Sequence, residues 1–178
     1  SASAQIENIQ HNNISREDGL LRNMITAIWK DSKGFMWFGT RSGLSRYDGY
    51  EYVHYRHDAN DSTSLSDNFI IGIYEDHSGT LWIASQNGLN KFNRKKETFR
   101  RFWHQSLLDP EEDRNFSIVV SGKKNKLWMA TWSSSVLQFD LEKEEFSLLE
   151  LKTMDPGGSI DKDIAAIVEE DDGTLWVG

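Results

Sequence analysis

The stretch Ser78–Phe92, "SGTLWIASQNGLNKF", decides the fold. It holds a turn, a short apolar run around Trp82, a second turn at Gly88 and another short run. The same order stands at Lys33–Tyr47, "KGFMWFGTRSGLSRY", and at 124–139, "KNKLWMATWSSSVLQF". The chain closes on a further copy, "DGTLWVG". Aligned on Trp37, Trp82, Trp128 and Trp176, the copies lie 45, 46 and 48 residues apart. Twelve residues before each Trp stand Ile25, Ile70, Phe116 and Ile164; nine before stand Ile28, Ile73, Val119 and Ile167. Six before come Asp31, Asp76, Gly122 and Glu170, and three before come Gly34, Gly79, Asn125 and Gly173. Self-similarity at such a period is the mark of a repeat architecture.

Each unit reads as four short strands separated by turn residues, which is an all-β pattern. A unit of about 46 residues with four antiparallel strands is one blade of a β-propeller. The boundaries that follow are 23–56, 57–103, 104–150 and 151–178, the last being half a blade. Residues 1–22 read as an outer strand, Ile6–Gln10, plus its connection. The expectation is an incomplete arc of a seven-bladed propeller, with the other blades elsewhere in a longer protein. Open blade edges would then favour self-association. A sheet buries its second face only against another sheet. The four Trp, each beside a small Gly or Ala, are therefore expected to fill the gaps between blades as structural core.

Composition narrows the function. The 178 residues carry a net charge of −8, which repels phosphate backbones, so no nucleic-acid partner is expected. The one basic stretch, "NRKKETFRRF" from Asn93, reads as a solvated turn and outer strand. There is no Cys, hence no disulfide, thiolate metal site or thiol nucleophile. No apolar run approaches the roughly 18 residues that span a bilayer, and "SASAQIENIQ" lacks the order of a signal peptide.

The copies at Lys30–Asp58 and Ser64–Asn93, with "EDGL" at Glu17 and "SLSDN" at Ser64, resemble two-component regulator propeller repeats. The third copy, "SGKKNKLWMATWSSSVLQFD", departs from the pattern by lacking the Asp and both Gly. The order of elements is similar to the start of the periplasmic sensor region of hybrid two-component regulators of Bacteroides-type bacteria. That resemblance implies two seven-bladed propellers ahead of a membrane helix, with a histidine kinase further along the parent chain. It also implies sensing of glycan fragments to control polysaccharide-utilisation genes, in the periplasm.

Catalytic motifs are missing from the sequence. "EDHSGTLW" sets its Asp and Gly one residue off a sialidase box, and Asp31, Asp76 and Glu170 read instead as turn caps. The five His show no metal-ligand pairing, and "DANDSTSLSD" from Asp58 lacks the Gly and Glu of a calcium loop. No catalytic residue, cofactor or metal is expected. Binding is expected at the loops joining strands two and three, where Arg41, Gln86 and Trp132 occupy equivalent positions yet differ in kind. Trp132 could stack on a sugar, or else cover a loop core or a partner interface. Trp103 and His104, which open "WHQSLLDPEEDRN", are either ligand contacts or loop anchors. Three readings follow: a non-catalytic sensor of an oligosaccharide, a platform for protein–protein interaction or dimerisation, and a fragment of a sialidase- or lyase-type enzyme.

Overall fold

A computed structural model describes residues 24–104, 115–123, 125–149 and 164–178, and every regular element in them is a β-strand. The expected outer strand Ile6–Gln10 lies outside the described residues. The first sheet runs β1 (Ile25–Lys30), β2 (Met36–Thr40), β3 (Gly43–Tyr47) and β4 (Tyr52–Tyr55). The second runs β5 (Ile70–Glu75), β6 (Leu81–Ser85), β7 (Gly88–Asn93) and β8 (Thr98–Phe102). The third runs β9 (Phe116–Ser121), β10 (Lys126–Thr131), β11 (Val136–Asp140) and β12 (Glu145–Leu149). β13 (Ile167–Glu169) and β14 (Leu175–Val177) form a two-stranded fourth sheet.

All neighbours within a sheet are antiparallel, and the strand order follows the chain. Each four-stranded sheet is one propeller blade. The first strand of each blade lies innermost, β1 packing beside β5 and β5 beside β9. Three seams result, between blades one and two, two and three, and three and four.

The repeated Trp explains why blades stack. Trp37 is fully buried and meets Phe92 of the second blade edge-on at 5.1 Å. Trp82 is equally buried and meets Phe139 of the third blade at 5.3 Å. Trp128 packs with Ile164 and Ile167 of the fourth sheet. Each ring thus covers the blade that follows its own, and burying one contributes about 1.5–3 kcal/mol. Trp176 differs from the other three in being 62% exposed. Its own sheet is the last of those described.

The turn between the first two strands is shared by all four sheets. Its backbone N–H to C=O bonds run Asp31–Phe35, Asp76–Thr80, Gly122–Lys126 and Glu170–Thr174, at 2.8–3.0 Å. Gly34, Gly79, Asn125 and Gly173 all take positive φ at the same place, so the third copy keeps the turn although it lacks the Gly.

Candidate functional site

Antiparallel strands that start innermost place the loop between strands two and three at one end of the blade. The end of strand four, leading to the next blade, lies at the same end. All five proposed contact residues therefore share one end of the arc. Arg41 is exposed, its guanidinium 4.9 Å above the ring of Phe69, at the start of the second blade. The Gln86 N–H donates to Phe69 O at 2.8 Å, and its carbonyl accepts from Phe116 N of the third blade at 2.9 Å. The Trp132 N–H donates to Asn115 O at 3.1 Å, repeating the Gln86 geometry one blade on. Its indole is 50% exposed. The Gln86 and Trp132 loops thus sit over the starts of the innermost strands, held by main-chain bonds that leave side chains free to vary.

Trp103 is 48% exposed. A Cβ on Gly88 would lie 3.4 Å from its Cδ1, so Trp103 leans on the Gln86–Gly88 loop. Of the two readings of His104, ligand contact or loop anchor, its packing fits the anchor. It is fully buried, stacked on Phe116 at 4.4 Å and beside Phe146 at 5.6 Å. Its ring anchors the end of the second blade onto the third, where Phe116 and Phe146 pack against it. Trp103 thus shares a surface with the Gln86 loop. Arg41 and Trp132 stand on the neighbouring blades. Among the described residues no group of three His, Asp or Glu could hold a metal ion.

At the opposite end, the caps are more elaborate than the sequence suggests. Asp31 Oδ1 accepts from Lys33 N and Phe35 N, and Oδ2 accepts from Trp37 Nε1 at 2.8 Å. Asp76 repeats this with Ser78 N, Thr80 N and Trp82 Nε1. Burial alone would raise both carboxyls, but the indole N–H bonds, with Arg94 at Asp31 and Ser78 at Asp76, hold them below their ordinary value. Glu170 takes only Trp176 Nε1, and Asp172 caps that turn through Thr174 N. In the third blade the indole of Trp128 reaches across the seam to Glu169 Oε2 at 2.8 Å. Gly122 makes room, since a Cβ there would sit 2.9 Å from that oxygen and 2.7 Å from the indole.

Sequence reasoning missed a second carboxylate position that clamps one blade to another. Glu75 accepts from Ser32 N and Oγ of the first blade, each at 2.7 Å. The equivalent Glu169 accepts from Lys123 N of the third blade at 2.8 Å. Arg94 adds a fork across the first seam, to Asp31 at 2.7 Å and Glu75 at 2.9 Å. The signal was present as Glu75 and Glu169, two residues after the aligned Ile73 and Ile167.

Comparison with known proteins agrees with this architecture. Residues 64–87 match the two component regulator propeller family. Over 66 residues the chain is 38% identical to histidine kinase P4 of Formosa agariphila, covering 37% of this chain and 5% of that protein. The extracellular domain of the hybrid two component system BT3049 from B. thetaiotaomicron superposes over 94% of this chain and 23% of its own, with TM-score 0.74 and 24% identity. That of BT4673 from the same organism superposes over 87% and 22%, with TM-score 0.67 and 24% identity. PorZ of Porphyromonas gingivalis, a surface component of the type-IX secretion system, shares the fold at TM-score 0.58 and 18% identity, over 87% of this chain and 23% of its own. The chain therefore spans under a quarter of these solved structures and a small part of the kinase.

Proposed function

We propose that this chain of two-component regulator propeller repeats is a non-catalytic part of an extracytoplasmic sensor, and that it reads glycan fragments at the loop end of its blades. The signal then passes through the parent protein to a histidine kinase and to genes for polysaccharide use. The periplasm is the compartment this reading assigns. One observation carries it: Trp132, with its ring half exposed, stands on a main-chain frame that repeats from blade to blade while the side chain at that position changes. Rigid scaffold with variable loop chemistry is how binding surfaces are built. An exposed indole offers a flat apolar face for a sugar ring, and Arg41 and Gln86 supply donors for hydroxyls. The extracellular placement of the BT3049 and BT4673 domains supports the compartment.

The test is calorimetric titration of the complete ectodomain with a panel of oligosaccharides. A binding glycan is expected, and Trp132→Ala should weaken it by about fivefold or more, since a stacked ring contributes about 1 kcal/mol. Thermal melting should be unchanged. Equal affinity in the variant, with equal melting, would remove Trp132 from the site. A panel with no binder would favour a purely protein-binding propeller.

A further inference from the structure

The basic run from Asn93 forms more than a solvated turn and outer strand. It walls an open groove of about 440 Å³ at the capped turn end of blade two. Thr80 lines the groove from the first turn, Lys91, Asn93, Arg94 and Lys95 from β7 and its turn, and Arg100 from β8. Four cations and no carboxylate line it, in a chain of net charge −8.

The neighbouring blades show what is particular to this one. Strand pairing sets Lys91 beside Arg100; the same register gives Arg46 beside Val53 in blade one and Gln138 beside Ser147 in blade three. The turn after the third strand is capped alike in all three. Asp48 Oδ1 accepts from Tyr50 N and Glu51 N, and Asp140 Oδ1 from Glu142 N and Lys143 N. Asn93 Oδ1 accepts from Lys95 N and Lys96 N. This cap uses one oxygen, so Asn serves as well as Asp, and its amide N–H₂ replaces a second carboxylate oxygen by a donor. The residue after the cap is Gly49, Arg94 or Leu141, and the next is Tyr50, Lys95 or Glu142. Asn93, Arg94, Lys95 and Arg100 thus each differ from both neighbours in the positive direction.

Arg94 is committed to Asp31 and Glu75, which fixes that wall. Lys91 and Arg100 share a single carboxylate, Glu144 of blade three, each at 2.6 Å. Lys95 has no ion-pair partner among the described residues. Three cations therefore face one carboxylate. Lys91 stands 5.2 Å over the Trp82 ring and Arg100 4.8 Å over that of Phe102, so both charges are backed by aromatic faces.

We propose that this groove binds an oxyanion of the phosphate or sulfate type, free or esterified on a larger molecule. Lys91, Lys95 and Arg100 supply the charge, and the Asn93 amide supplies a neutral donor. Bonds from cations to an oxyanion are about twice as strong as those between neutral groups. The site lies at the opposite end of the blade from the loops of Arg41, Gln86 and Trp132, and does not depend on glycan binding there.

NMR titration of the ¹⁵N-labelled whole chain, at fixed ionic strength, tests this with inorganic phosphate and glucose 6-phosphate. Saturable shifts are expected at the amides of Thr80, Lys95 and Lys96 and at the Asn93 side chain. Asn93→Asp installs the cap of the neighbouring blades, so melting should be unchanged while binding weakens about fivefold or more. Lys95→Glu, which installs the blade-three charge, should weaken binding about tenfold or more. Arg56→Glu removes an exposed cation at the loop end of blade one and should leave affinity unchanged. Tighter binding of glucose 6-phosphate would assign the groove to an ester, and equal or weaker binding to the free ion; both support the site. Absence of saturation with either probe up to about 10 mM would overturn the proposal. So would undiminished binding by Asn93→Asp and Lys95→Glu, or a loss in Arg56→Glu as large as theirs, which would reduce the effect to net charge.

Discussion

The first and second seams join blades of the same design, yet at the turn end one is tied by charge and the other by apolar contact. At the first, Glu75 and Arg94 tie the turn of blade one to blade two, with Asp31 buried beneath the guanidinium. At the second, the position of Glu75 is Ser121 and that of Arg94 is Leu141, which is buried in the same cluster as Trp82 and Phe139. A carboxylate and its cation have been exchanged together for small or apolar residues. That is the expected outcome where the buried members of a pair depend on each other: removing one alone leaves an uncompensated charge, whereas removing both is tolerated. The third seam is intermediate, with Glu169 present and also taking the indole of Trp128.

The largest effect should come from the apolar seam. Trp82→Ala removes a ring that is 1% exposed and touches both Phe102 and Phe139. The expected loss is about 3–5 kcal/mol in denaturant unfolding. Trp176→Ala, at the same repeat position with its ring in solvent, should cost about 1 kcal/mol or less. Similar losses for both would mean that Trp position and not burial sets the effect, and the stacking account would fail.

The charged seam should respond next, and differently with pH. Arg94→Ala leaves Asp31 and Glu75 without their cation, at an expected cost of about 2–4 kcal/mol near neutral pH. Burial raises the Asp31 carboxyl, but Trp37 Nε1 and Arg94 outweigh it and set its value below the ordinary 3.8. A carboxyl lowered on folding adds stability that is fully present above its unfolded value and is lost as pH falls through the lower folded value. Removing Arg94 lets the folded value rise. Acid unfolding of the variant should then begin at higher pH than in the parent chain, measured by denaturant melts between about pH 2 and pH 6. An unchanged acid limb would show that the indole and backbone bonds hold Asp31 without help from Arg94.

How far the sequence discloses these differences depends on which residues must be read together. Within one unit the signals are dense. Trp37, Trp82 and Trp128, the turn Gly and the antiparallel order are all legible, because each is repeated in place. Across units the reading weakens. His104 looks like a loop residue in sequence, and only the approach of Phe116 and Phe146 shows that it is an anchor. Gly122 looks like a lost cap, and only the arrival of Glu169 from the next sheet explains the gap. Loop residues fall between these cases: Trp132 and Trp103 are exposed, but which side chains share a surface is set by blade stacking, which no single unit encodes.

One contact is common to both seams and should give the smallest effect. Arg46 of the first blade pairs with Glu97 of the second at 2.7 Å, and the equivalent Lys91 of the second pairs with Glu144 of the third at 2.6 Å. Both glutamates have positive φ, so the tight turn aims each carboxylate back at the preceding blade. The environments differ. The Glu97 side chain is 45% exposed and holds one cation, whereas Glu144 is 19% exposed and also holds Arg100 at 2.6 Å. Exposed pairs contribute about 0–1 kcal/mol, and a carboxylate shared by two cations with less water around it belongs at or above the top of that range. Glu97→Gln should therefore fall within about 0.5 kcal/mol of the parent chain, and Glu144→Gln should cost about 1 kcal/mol. Each substitution keeps the side-chain shape and the strained backbone, so the difference isolates charge. Salt sharpens the test: moving from about 0.05 M to 1 M should erase more of the Glu97 effect than of the Glu144 effect. If Glu97→Gln proves the costlier, the second seam does not rely on this pair, and its cohesion rests on Trp82 and its apolar neighbours alone.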